Sequence, residues 1–368
     1  MSRSDPGCAP CDRVLEAFRA SDADAADAAL AAALDHLDEA DCERVIALLL
    51  ERGRAAGYEG LIERYDRLPP EVRRIIEQSG PAMDEAIQRA FRNGQNEART
   101  GALILIERRR SMRLAYLAAD GLIDRSTVVR QQAALTLRSL AAEFASRAPD
   151  ATQLEERRAL VDALRTALDR FHAHHRTEII EAAMCFVDDL GSDLFESRNG
   201  RRGMLTHAML EVFGQSRSAA LAPFAYEGLL YNELRNGIIR SIETRQDSEF
   251  FAGMIRQRWR GRIGGTRKLL KCVQRLAWLE RGIAPLLALP EALHGPGVEL
   301  VSELGLPDET LLELLRGVLD QDAPQAVREA AWSLVARQTP EARGLLRLVA
   351  ESPYADAARI ARFELSRR

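Results

Sequence analysis

Apolar positions in this chain recur at three- and four-residue steps almost throughout. In STVVRQQAALTLRSLAAEF, residues Val129, Ala133, Leu137 and Leu140 fall on one stripe of a helix. Alternation of period two never persists over the length of a strand. Pro and Gly clusters such as RLPPEV, EQSGPAM, RNGQN, LPEALHGPGVE and LGLPDE separate the periodic blocks. The spacing predicts roughly eighteen to twenty helices and no sheet.

The blocks also repeat. Arg99 in NGQNEARTGALILI and Arg130 in DRSTVVRQQAALTL lie 31 residues apart. Three residues after each comes a small side chain, Ala102 or Ala133. Seven residues after each comes a large one, Ile106 or Leu137. A turn-forming residue, Asn93 or Asp124, stands six residues before each arginine. The C-terminal part follows the same grammar. Arg328 and Arg359 are again 31 apart, with Ala330 and Leu334 matching Ala361 and Leu365. Asp322 holds the turn of the first copy, and Pro353 replaces it in the second.

Each feature has a physical use. The turn Asp or Asn can bind backbone N–H groups and start the next helix. Small residues let a neighbouring helix approach closely, and the large residue fills the core. An arginine at fixed offset can reach a turn Asp or free carbonyls of a neighbouring unit. One helix pair cannot bury its apolar face alone, so copies must stack.

Asp124…Val129-Arg130-x-x-Ala133-Ala134-x-x-Leu137 and Asp322…Val327-Arg328-x-Ala330-Ala331 resemble HEAT-type helical repeats. The likeness spans about residues 80–145 and 305–368. It implies an all-α fold, an α-solenoid of stacked antiparallel helix pairs forming a HEAT-like superhelix. Such proteins are scaffolds and adaptors with an extended binding surface. A few are enzymes, including a group of DNA glycosylases, but no catalytic motif of theirs stands here. On this reading residues 1–66 form an acidic N-terminal helical cap and 67–149 HEAT-like repeats. Residues 150–304 form an irregular helical middle region with a basic corner, and 305–368 the C-terminal HEAT-like repeats.

Composition agrees with a folded helical protein: 46% hydrophobic, 29% charged, 5% aromatic. Arginine dominates the bases, with only two lysines among 51 basic residues, a bias that a GC-rich bacterial-type genome explains. A net charge of −4 excludes a global pull on nucleic acid. Five scattered cysteines make no disulfide framework and fit a reducing cytoplasm. The first residues carry no signal-like apolar segment, and no run is long enough to span a membrane. A cytoplasmic location is expected.

The charge is unevenly spread. Residues 1–60 hold 13 acids and 6 bases, whereas residues 250–279 hold no acid. In RQRWRGRIGGTRKLLK and the residues after it, Arg256, Arg258, Trp259, Arg260 and Arg262 precede or enter a Gly turn. Arg267, Lys268, Lys271 and Arg275 follow it. Helical spacing puts Arg256 and Arg260 on one face. It puts Arg267, Lys268, Lys271 and Arg275 on another, with Leu269, Cys272, Val273 and Leu276 packed inward. This corner could take an acidic or phosphorylated protein partner, nucleic acid or another polyanion. The first reading of such a face, however, is that it is matched by the acidic N-terminal region, internally or in a partner copy. The basic knots RRRSMR (Arg108 to Arg113) and SRNGRRG (Arg198, Arg201, Arg202) could line the same surface.

Other groups are weaker. FHAHHRTE gathers His172, His174, His175 and Glu178, the one weak candidate for a metal site. A helix–helix connection there would break its geometry. CAPC at Cys8 and Cys11 is half a zinc site at best. Asp188, Asp189 and Asp193 collect at a helix end. No cofactor is expected. The leading expectation is a non-enzymatic protein–protein interaction scaffold or adaptor. The alternative is a helical array that binds nucleic acid or a polyanion through residues 256–275.

Overall fold

The structure is a computed structural model that describes residues 10–147, 150, 153–195, 202–258 and 266–367. Among these residues there are 24 α-helices and no strand. The excess over the predicted number arises where long periodic blocks break. The stretch 171–195, for example, forms three short helices, Phe171–His174, Thr177–Met184 and Val187–Phe195. The chain divides into two compact units, residues 1–183 and 184–368.

In the first unit, helices pack on helices two or three places along the chain. Asp24–Ala33, Ala55–Arg64, Asn96–Arg108 and Thr127–Ser146 each pack against the next. Glu39–Arg52 contacts both Pro10–Ala20 and Pro70–Glu77. Local chemistry sets the boundaries. The Asp38 carboxylate accepts the Asp41 N–H at 2.9 Å and opens its helix, and Gly53 closes it with a left-handed φ of 63°. Ala102, Ile106, Ala133 and Leu137, the repeated positions, are all fully buried. Gly101 shows how close successive helices of this row come: a Cβ there would lie 2.0 Å from the Ile62 carbonyl oxygen.

A second device ties successive helix pairs. Arg52 donates to the Ser21 and Phe18 carbonyls and grips Asp27 with Nε and Nη2 at 2.7 and 2.8 Å. Arg109 does the same to the Ser79 and Glu77 carbonyls, 2.7 and 3.0 Å, and to Asp84 at 3.0 Å. In the second unit Arg245 donates to Phe213 O at 2.5 Å, to Ser216 O, and to Asp247 at 3.1 Å. Each arginine stands at the end of a helix or just beyond it and satisfies carbonyls at the end of a helix about thirty residues earlier. Arg99 and Asp124, which the repeat singled out, also meet, at 2.7 Å.

The second unit has the same stacking at its C-terminal end. Ser248–Arg258 packs on His294–Glu303, which packs on Pro324–Val335, which packs on Ala355–Ser366. Its earlier half is built differently. Tyr231, Phe195, Phe224, Phe213, Phe250, Phe251 and Trp278 form a continuous chain of ring contacts, with centroids 4.1 to 5.8 Å apart. These rings do the work that paired alanines do elsewhere, which is why the region reads as irregular. No helix among the described residues is long and apolar enough to cross a membrane.

Candidate functional site

The basic corner lies in the second unit. Arg256 is exposed on the Ser248–Arg258 helix. The side chain of Arg258, and Trp259, Arg260 and Arg262, lie outside the described residues. The face that Arg256 was expected to share with Arg260 therefore has no described counterpart. After the gap the chain departs from the expected long helix. Thr266–Leu270 is a five-residue helix, so Lys271 and Arg275 stand beyond its end rather than on a stripe with Arg267 and Lys268.

The reason is tertiary. The N–H groups of Cys272 and Val273 make turn bonds back to Leu269 and Leu270, both 3.0 Å. The next backbone groups are then claimed by other elements. Val273 O accepts the Gly305 N–H at 2.9 Å, and the Gln274 N–H donates to Glu243 at 2.8 Å. A Cβ on Gly305 would lie 1.8 Å from the Lys271 carbonyl oxygen, so this crossing needs glycine. The inward face changes accordingly. Leu270, Val273 and Leu276 are buried, Leu269 is half-buried, and Cys272 is exposed.

The bases do not act as one uniform patch. Arg267 pairs with the largely buried Glu303 at 3.0 Å. Arg275 pairs with Glu280, its Nε 2.6 Å from Oε1. Lys268 and Lys271 are exposed between them. The acids at the N-terminus have their own partners in the first unit, where Asp27, Asp22 and Asp35 pair with Arg52, Arg54 and Arg64. Trp278 is buried: its indole N–H donates to Ser248 Oγ at 3.0 Å and its ring stacks on Phe251.

Beside the corner lies a cleft of about 630 Å³ that the sequence reading missed. One wall is the irregular segment after Val273, with Leu276, Leu279 and Ile283 at its base. The other is Leu306–Pro307 and the Asp308–Leu319 helix, with Leu314 and Gly317 facing in. Arg275 and Glu280 stand on one rim, and Thr310, Glu313, Arg316 and Asp320 on the other. No motif marks it, because its walls come from segments about thirty residues apart.

The other sequence candidates fall elsewhere. Both nitrogens of His174 serve the backbone: Nε2 lies 2.9 Å from Ala167 O, and Nδ1 accepts the Arg176 N–H at 3.0 Å. Burial of this imidazole lowers its pKa below the ordinary histidine value. His172 and His175 are exposed, and His175 closes the Phe171–His174 helix in a left-handed conformation. Glu178 accepts from Gln131 at 3.4 Å. Among the described residues no group of three or more His, Cys, Asp or Glu side chains could hold a metal. In RRRSMR, Arg109 is the clamp described above, while Arg110 and Arg113 pair with Glu143 and Glu155 at 2.8 and 3.3 Å. That knot therefore belongs to contacts inside the first unit. Arg198, Arg201, the Arg202 side chain and Cys8 lie outside the described residues, and so does the Cys11 side chain. Asp188 and Asp189 open the Val187–Phe195 helix, and Asp193 lies within it.

No protein-family model matches the chain, and no curated protein matches it.

Proposed function

We propose that this chain is a HEAT-like α-solenoid that serves as a non-enzymatic protein-binding scaffold in the cytoplasm. The observation that carries the reading is the packing of helices on helices two or three places along the chain in each unit, with arginine clamps that each tie a helix end about thirty residues earlier. Stacked pairs of this kind present long rows of side chains whose energetic role is recognition rather than core packing. The basic corner and the cleft beside it are the surface assigned to a partner.

The test is site-specific photo-crosslinking from position 271, with position 344, on an exposed helix face, as the control. A captured protein is then purified and its affinity measured against wild type and a Lys268→Glu, Lys271→Glu double variant. Arg267 is left intact because it neutralises Glu303. The reading expects a direct binder whose affinity falls at least about tenfold in the double variant. Failure of any captured protein to bind the purified chain overturns it.

The alternative reading, nucleic acid or another polyanion, is supported by the exposed Lys268 and Lys271 in a stretch without acids. The pairing of Arg267 and Arg275 with glutamates weakens it. It requires binding that falls steeply as salt rises, and an absence of any shift with single- or double-stranded probes at low salt removes it.

A further inference from the structure

Accepting the scaffold reading, we infer that the cleft between the 274–283 segment and the Asp308–Leu319 helix docks a linear peptide segment of the partner. That segment carries one large apolar anchor residue flanked on one side by acidic residues. The anchor follows from the base of the cleft, where Leu276, Leu279, Ile283, Leu306 and Leu314 converge in a space of about 630 Å³. An apolar site of this size gains most from a single bulky side chain removed from water.

The polarity follows from the charges. The basic shoulder and the cleft are one construction. The Lys271 carbonyl rests against Gly305, Gly305 bonds to Val273, and the next residue after Gly305 lines the far wall. Lys271 therefore stands at the crossing where the two walls meet, four residues before Arg275 on the near rim, with Lys268 exposed three residues earlier. The opposite rim carries Glu313 and Asp320 with Arg316 between them. Carboxylates on the shoulder side meet Lys268, Lys271 and the Arg275–Glu280 pair, three bases and one acid, and carboxylates on the far side meet two acids and one base. A peptide thus has one favoured direction, acid toward Lys268 and Lys271, and neutral or basic residues toward Glu313 and Asp320. The glutamate on Arg275 can be exchanged for a partner carboxylate at the exposed rim, where such pairs are weak.

The experiment is a phage-displayed library of random linear peptides selected on the full chain. Enriched sequences are then synthesised with a fluorescein label and measured by anisotropy. The expected result is a consensus of a large apolar residue with acids on one side only. Its affinity should fall at least about tenfold in Lys268→Glu, Lys271→Glu, and similarly when the cleft is filled by Gly317→Phe. Thr310→Trp, an exposed position on the same wall, blocks the cleft without touching the helix interior and serves if Gly317→Phe fails to fold. No enrichment, a consensus without an acidic flank or an apolar anchor, or affinity unchanged in both the charge and the cleft variants overturns the inference. If the crosslinked partner of the preceding test still binds, the scaffold reading survives that failure; if neither binds, both fall.

Discussion

Arg52 and Asp27 form a two-pronged ion pair that water does not reach: Asp27 is 0% exposed, and the two contacts measure 2.7 and 2.8 Å. The same guanidinium closes the end of the Pro10–Ala20 helix through the carbonyls of Phe18 and Ser21. The hydrogen bonds that Arg52 donates to Asp27 are the main reason the Arg52 pKa is raised still further.

Removing Asp27 leaves the buried Arg52 without its carboxylate, whereas removing Arg52 leaves Asp27 its longer contact with Arg54 at 3.9 Å. Asp27→Ala is expected to destabilise the first unit by about 3–5 kcal/mol in urea unfolding. Asp27→Leu combined with Arg52→Met should recover much of that loss, because no buried charge remains. Asp22→Ala, on an aspartate fully open to solvent, should change stability by less than about 0.5 kcal/mol.

The clamp in the second unit depends on the shape of arginine as well as its charge. Arg245 reaches two carbonyls and a carboxylate at once and lies 4.0 Å from the centroid of the Phe250 ring. Lysine has the charge without the planar fork. Arg245→Lys is expected to cost about 2–3 kcal/mol. It should also speed hydrogen exchange at the end of the Arg202–Gln215 helix, read by mass spectrometry. Unchanged exchange there would show that the carbonyls are satisfied in some other way.

His174 makes the first unit acid-sensitive. Burial favours its neutral form, in which Nδ1 accepts the Arg176 N–H. Because the folded pKa lies below the unfolded value of about 6.5, the unfolded chain takes up the proton first. The contribution is complete above about pH 6.5, declines as the pH falls below it, and levels off beneath the folded pKa. His174→Gln should reduce this slope between pH values of about 7 and 5, measured as thermal midpoints. Identical slopes would remove the assignment.

Two glycines should respond in opposite ways. Gly305→Ala would force a Cβ against the Lys271 carbonyl oxygen and is expected to destabilise the second unit by about 1–3 kcal/mol. Gly344 sits on the exposed face of the Pro340–Ala350 helix with nothing within 4 Å of a built Cβ. Gly344→Ala is expected to stabilise it by about 0.5–1 kcal/mol. Chemical denaturation of both variants checks the pair.

The helical class could be read from the chain directly, and so could the core positions of its periodic blocks. Spacing of apolar side chains on a single helix is a local property, so Ala133, Leu137, Ala330 and Leu334 were legible as core and are buried. Arg99 reaches the turn residue Asp124 of the next unit, but Arg328 and Arg359 pair with Glu329 and Asp356 on their own helices, so the offset alone does not fix the contact. The spacing is silent where elements compete for the same backbone groups. The residues after Leu270 have helical spacing, yet Gly305 and Glu243 take the bonds that would extend the helix. That competition turns an expected basic stripe into a shoulder, places Trp278 inside on Phe251, and opens the cleft next to it. The clamps Arg52, Arg109 and Arg245 were equally hidden, since one arginine among many shows its role only when the carbonyls it must satisfy come within reach.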